Sequence, residues 1–311
     1  MTQTKLLKNA TIMAVNLIIL FFAARWMIEN IHLVELGRAF NRISLLSLVA
    51  VAMINMIVVV LFAYRLATLI EQPFSVAFSV ACLGAGLNGI LPFRLGDVTR
   101  IYYSKRFYRI SATQLIAVSF AEKLFDLTAL GLMVSLLLVI GGGNLIGGGL
   151  VATLTSMLIV GVVGLFFLFR HAEGVASRFC ASEFLRTAII SLKHHLRIRR
   201  KATVSLATGG MWLTNLMVVY VGLIWFLPLT DISLMDATAV LLIVALAIAV
   251  PGAPAGLGIF EAGVVSYLTL VVHLGSETAL AAAFLLHMAI SLPTIILALA
   301  IILKPRRMLV V

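Results

Sequence analysis

From Ala237 to Val272 the chain reads ATAVLLIVALAIAV, then PGAPAGLG, then IFEAGVVSYLTLVV. Two apolar runs of roughly 14 residues each flank a proline- and glycine-rich break. A hydrocarbon core of about 30 Å needs roughly 20 apolar residues per helical crossing, so neither run crosses alone. Pro251 and Pro254 withhold backbone donors, and Gly256 and Gly258 accept backbone angles closed to other residues, so the break interrupts a helix. At membrane depth such backbone survives only where it is buried in protein or lines a water-filled cavity. The stretch therefore predicts a broken helical hairpin inside a bilayer.

Outward from it the same grammar recurs. Residues 76 to 91 form another short apolar segment, carrying Gly84, Gly86, Asn88 and Gly89 and stopping at Pro92. Full-length apolar runs lie near residues 10 to 28, 44 to 64, 113 to 140, 150 to 169, 204 to 227 and 278 to 303. The composition agrees: 62% of residues are hydrophobic and 11% charged, with a mean hydropathy of +1.16, whereas soluble domains are about half apolar and a quarter charged. The expected fold is an all-α polytopic membrane protein with about six full spans plus two re-entrant or broken helical hairpins. Interrupted segments in matching positions of two halves point to an inverted repeat. Residues 1–311 read as a single integral membrane domain, and the first apolar run, with no small-residue cleavage site after it, reads as a retained span.

Charge supplies an orientation. The net charge of +11 is that of cytoplasmic loops rich in Lys and Arg rather than of a nucleic-acid binder. With both short segments re-entrant and both termini cytoplasmic, nearly all cations fall inside: Lys5, Lys8 and Arg65, the group from Arg94 to Arg109, the run from Arg170 to Lys201, and Lys304, Arg306 and Arg307. Arg38 and Arg42 are left outside. Eight full crossings with an external N-terminus would satisfy charge nearly as well, and segment length favours the hairpins. Residues 170–202 interleave Phe179, Phe184, Leu185 and Ile189 with Arg178, Arg186, Lys193 and Arg197, which reads as a basic amphipathic segment on the cytoplasmic leaflet.

Ionisable groups at membrane depth are expensive and by default mark a pathway or binding site. In Pro92-Phe-Arg-Leu-Gly-Asp-Val-Thr-Arg100, Arg94 and Arg100 offer forked hydrogen bonds to a phosphate. Gly96 lets the backbone approach, and Asp97 orients a guanidinium. Glu122, Lys123 and Asp126 lie within one apolar helix, the two carboxylates four apart and on one face, where they can pair with Arg94 or Arg100 or carry a proton. The break from Pro251 to Glu261 frees backbone dipoles, and a helix starting near Gly258 aims its positive end into the break. Cys82 and Cys180 support neither a disulfide framework nor a metal site. His194 and His195 sit in the basic run, while His273 and His287 stand alone. With no nucleophile beside a base and no P-loop, the chain reads as a non-enzyme with no metal, cofactor or catalytic residue.

Three motifs, P-x-R-x-G-D-x-x-R at Pro92 to Arg100, E-K-x-x-D at Glu122 to Asp126 and P-G-x-P-x-G-L-G-x-x-E at Pro251 to Glu261, in this order resemble the lysylphosphatidylglycerol synthase transmembrane-region family, also called the flippase-like domain family, over essentially the whole chain. The sequence departs from the family pattern at Asp97, Lys123 and Ala255, keeping charge at the first two. The resemblance implies movement of lipids between leaflets rather than their synthesis, because the chain looks like the membrane region alone. It implies a headgroup site near the midplane built from Arg94, Gly96, Asp97, Arg100, Glu122, Lys123, Asp126, Pro251, Pro254, Gly256, Gly258 and Glu261. The expected partners are membrane lipids, phospholipid or isoprenoid-linked, with anionic or zwitterionic headgroups, in a bacterial or archaeal cytoplasmic membrane. A lipid-modifying enzyme or a second copy are further candidate partners. The alternative is an accessory membrane subunit of a lipid- or glycosyl-transferase system, with a membrane-embedded lipid-modifying enzyme behind it.

Overall fold

The computed structural model describes residues 33–41, 43–140, 156, 159–161, 163–164, 198–227, 230–250 and 253–303. Among them the regular structure is helical: α1 (Leu33–Asn41), α2 (Leu45–Ile70), α3 (Phe74–Asn88), α4 (Leu95–Tyr108), α5 (Ala112–Ile140), α6 (Ile198–Phe226), α7 (Leu234–Ala249), α8 (Ile259–Leu270) and α9 (Ser276–Leu303), with 3₁₀ turns at Pro92–Arg94 and Pro254–Gly256. Helix α2, residues 200–226 of α6, and α9 are long and apolar enough to cross a bilayer. Helix α5 spans 29 residues and carries Glu122, Lys123 and Asp126 in its first half. The expected runs at 44 to 64, 113 to 140, 204 to 227 and 278 to 303 are thus long helices. Those at 10 to 28 and 150 to 169 lie outside the described residues, apart from the few helical positions between 156 and 164. The interrupted segments are short helices: α3, α7 and α8 have 15, 16 and 12 residues, or about 22, 24 and 18 Å at 1.5 Å per residue. Pro251, Cys180, His194, His195 and residues 170–197 of the basic segment lie outside the described residues. From Ile198 the chain is already helix α6.

The chain divides into two compact units. The first gathers the described residues up to Met56, those from Leu83 to Asp97 and those from Asn215 to Leu303. Its centre is a helical hairpin. Ser233 and Asp236 cap α7 reciprocally, each side chain bonding the other's backbone amide, which satisfies donors the helix leaves open. Tyr267 of α8 donates to Asp236 Oδ1 at 2.8 Å, and farther along, Gly263 lies so close to Ile243 that a Cβ there would come within 2.5 Å of its side chain. At the closed end Gly256, at φ +76°, lies under the Ala247 carbonyl. Helix α9 packs on α8 and on α1, the latter through an edge-to-face contact of Phe40 with Phe284 at 5.9 Å. Pro293 sits inside α9, and Asn55 donates to the nearby Ile290 carbonyl at 2.9 Å, a polar bond to backbone that matters where water is scarce. The end of α3 meets α9 at Gly86, where a Cβ would stand 2.2 Å from the Thr294 carbonyl.

The second unit comprises residues from Ile57 to Cys82 and the described residues from Val98 to Thr214. Its core is apolar: Leu66 and Ile70 of α2, Val80 of α3, Leu115 and Val118 of α5 and Val204 of α6 are buried together. Near the helix ends, Arg200 pairs with Glu71.

Candidate functional site

In the first unit the two 3₁₀ turns pack against each other. Each is built on the same local sequence, Pro92-Phe-Arg-Leu-Gly96 and Pro254-Ala-Gly-Leu-Gly258. In each an extended residue, Leu91 or Ala253, precedes the proline, and the leucine amide returns to the proline carbonyl. The backbone is left-handed at Phe93 and Arg94, both at φ 56°, and at Ala255, at φ 51°. For residues bearing a Cβ that conformation costs on the order of 1–2 kcal/mol each, and backbone strain of this kind clusters at ligand clamps and switches. Gly96 is a close approach: a Cβ there would lie 2.4 Å from the Asn88 amide and 2.5 Å from the Gly84 carbonyl. Asn88 Oδ1 accepts the Asp97 amide at 3.2 Å.

Arg94 projects from the first turn. Its Nε lies 3.3 Å from Asp97 Oδ2, and its Nη1 reaches the carbonyls of Ile248 and Ala249, each at 3.5 Å. These belong to the last turn of α7, where carbonyls lack helical partners and the helix dipole is negative, so a cation caps them favourably. The Arg94 side chain keeps 28% of its exposure. Beyond the second turn, Glu261 sits in the first turn of α8 and its Oε2 accepts the Gly258 amide at 2.7 Å. Its Oε1 lies 2.5 Å from Nδ1 of His287 in α9. Phe260 stacks on the imidazole at 4.3 Å, with the planes 19° apart. His287, isolated in the sequence, is therefore half of a buried pair. The 26 residues separating it from Glu261 exceed any local spacing rule, and only the packing of α9 on α8 brings them together.

The second unit holds a different cluster. Arg65 is 1% exposed. Its Nη1 lies 2.5 Å from Asp126 Oδ1 and 3.2 Å from Thr208 Oγ1, and its Nη2 lies 3.9 Å from Glu122 Oε1. Trp212 Nε1 donates to Asp126 at 3.4 Å, and the Phe62 ring lies 5.2 Å from the guanidinium carbon. Arg100, also buried, gives Nη2 to Ser119 Oγ at 2.5 Å and to Glu122 Oε2 at 3.4 Å. Two arginines thus meet two carboxylates, three of the four charges buried and Asp126 half-buried, a balance that makes their burial tolerable. Lys123 extends outward, 66% exposed, with Nζ 3.9 Å from Asp126, its stem covering apolar surface.

Arg65 corrects the sequence reading, which ended the apolar run at residue 64 and left Arg65 beyond it: it lies within α2 and is buried. The apolar run does not end at residue 64. Leu66-Ala-Thr-Leu-Ile70 continues it with no helix breaker before Pro73, so α2 extends past Arg65 and carries it inward. The recurring Pro-x-x-Leu-Gly was a second readable signal. Glu122 and Asp126 meet Arg65 and Arg100, while Arg94 and Asp97 pair with each other in the other unit.

Long apolar helices, short ones that stop at proline turns, and buried ion pairs define a helical membrane protein with interrupted helices. Residues 13–298 match the lysylphosphatidylglycerol synthase transmembrane region, and the chain belongs to that family, which ties it to the membrane and to lipid. Among curated proteins and among solved structures nothing matches the chain.

Proposed function

We propose that this chain is a lipid flippase or transporter of the cytoplasmic membrane, moving a phospholipid or isoprenoid-linked lipid between leaflets. The observation that carries the reading is the pair of Pro-x-x-Leu-Gly turns packed on each other at the ends of short helices, with Arg94 seated on the last carbonyls of α7. In this reading the hairpin of α7 and α8 and the segment ending in α3 are re-entrant. Their turns lie near the midplane, and non-helical backbone there lines a polar path. Arg94 grips the headgroup phosphate in place of the helix-end carbonyls, and Asp97 holds the guanidinium plane. Gly96, Gly256 and Gly258 keep side chains away from the headgroup, Pro254 fixes the turn, and Glu261 sets the local charge. Acyl or isoprenoid tails stay in the bilayer. Arg100, Glu122 and Asp126 hold the helices of the second unit to one another, Lys123 faces the headgroup region, and both termini are cytoplasmic.

The test is translocation of headgroup-labelled phosphatidylglycerol and of an isoprenoid phosphate in proteoliposomes. A charge-assisted hydrogen bond is worth about 1.5–3 kcal/mol, so Arg94→Ala is expected to lower the rate by about tenfold to a hundredfold while the protein still inserts and purifies. A wild-type rate in that variant removes Arg94 from the mechanism. No translocation by the wild type, with or without an ion gradient, favours the accessory-subunit reading.

A further inference from the structure

We propose that Glu261 and His287 form the site for a coupling proton, one proton being taken up with each anionic headgroup that the Pro254–Gly258 turn admits. The proposal rests on the transport reading and names its driving ion.

Two atoms that both carry lone pairs approach to 2.5 Å only with a hydrogen between them, so the contact between Nδ1 and Oε1 contains a proton. The other carboxylate oxygen already accepts the Gly258 amide. Whichever of the two atoms holds that hydrogen, the charge of the pair is set by whether Nε2 carries a second one. The exchangeable proton is the one on Nε2. With it the pair is neutral overall; without it the pair carries one negative charge. A proton from water adds to the Nε2 lone pair and leaves by the same route, and the bond between Nδ1 and Oε1 persists throughout.

That single charge matters because of where it sits. Phe260, fully buried, covers the face of the imidazole, and Glu261 and His287 are themselves buried, so water screens a net charge there poorly. Glu261 is bonded to the backbone of the turn itself, so the negative form of the pair repels an anion from the turn and the neutral form does not. By linkage, an anion at the turn raises the affinity of the pair for its proton by the same factor.

Other charged groups on the elements packed against α8 are engaged or distant. Helix α7 contributes Asp236, held by Tyr267 and Ser233 at the far end of the hairpin. Helix α9 contributes Glu277, ten residues before His287, or about 15 Å along the axis. The turn packed on Pro254–Gly256 contributes Arg94, which lies on Asp97 and the α7 carbonyls.

The deciding measurement is ¹⁵N NMR of the histidine side chains of the full chain in nanodiscs of phosphatidylglycerol or phosphatidylcholine. Of the six histidines in the sequence, the resonance lost in His287→Gln belongs to His287. At a given pH it is expected to show more imidazolium in phosphatidylglycerol than in phosphatidylcholine, and that lipid dependence should vanish in Glu261→Gln. A His287 resonance that does not titrate, or titrates identically in both lipids, overturns the proposal. In proteoliposomes with a lumenal pH dye, wild-type lipid movement should carry protons and both variants should lose that link; lipid movement without protons also overturns it. If the wild type moves no lipid, the transport reading fails by itself, and the lipid-dependent titration still decides whether the pair binds a proton together with an anion.

Discussion

In the first unit Arg94 is partly exposed and rests on long contacts to backbone carbonyls, in a turn whose own backbone is left-handed. In the second, Arg65 and Arg100 are buried against Asp126 and Glu122. The same side chain has different partners in the two places. Where carboxylates balance it inside an apolar core, arginine ties helices together, because its charge is satisfied only in that arrangement. Where its partners are helix-end carbonyls and a partly exposed aspartate, the proposed function has a phosphate replace them. Depth and charge alone do not separate these two kinds of arginine; the partners do.

The largest effect that tests this contrast is at Arg65. Arg65→Met leaves buried Glu122 and half-buried Asp126 without this cation and is expected to destabilise the protein by about 3 kcal/mol, measured by denaturant titration in detergent micelles. Adding Asp126→Leu should recover most of that loss, since apolar replacement of a whole buried pair is often near neutral. If the double variant is no more stable than the single one, the second unit is not held by its charge balance. Arg94→Ala, by contrast, should change stability by less than about 1 kcal/mol while reducing transport.

Glycines sharpen the comparison at a smaller scale. Gly96→Ala pushes a methyl group into the Asn88 amide and the Gly84 carbonyl, backbone that cannot step aside, and should cost about 1–3 kcal/mol and impair translocation. Gly209 of α6, in the second unit, has nothing within 4 Å of an added Cβ, so Gly209→Ala should stabilise by about 0.4–1 kcal/mol. The smallest effect belongs to Lys123. Lys123→Gln removes an exposed cation 3.9 Å from Asp126 and should alter stability by no more than about 0.5 kcal/mol, read from the same denaturant curves.

Much of the fold was legible because its signals are local. The ends of α3, α7 and α8 are written in Pro92, the glycines before it, and the run from Pro251 to Gly258, and the long apolar runs predict α5 and α9 closely and α2 as far as residue 64. Helix α1 was not legible: Leu33–Asn41 is short, and its packing on α9 through Phe40 and Phe284 joins residues far apart in the chain. The partners of the ionisable groups were hidden for the same reason. Glu122 and Asp126 were evident as two acids on one helix face, but Arg65, which answers Asp126 from 61 residues earlier, and His287, which answers Glu261 from α9, are tertiary facts.

That same separation sets an order of events during synthesis. Arg65 emerges 61 residues before Asp126, and at about 5–20 residues per second the ribosome needs roughly 3–12 s to make the difference. Throughout that interval Arg65 lacks the Asp126 carboxylate that bonds it in the folded chain, and a long side chain near a helix end can reach toward the lipid headgroups. The charge balance of the second unit is therefore completed late, when α5 arrives with Asp126.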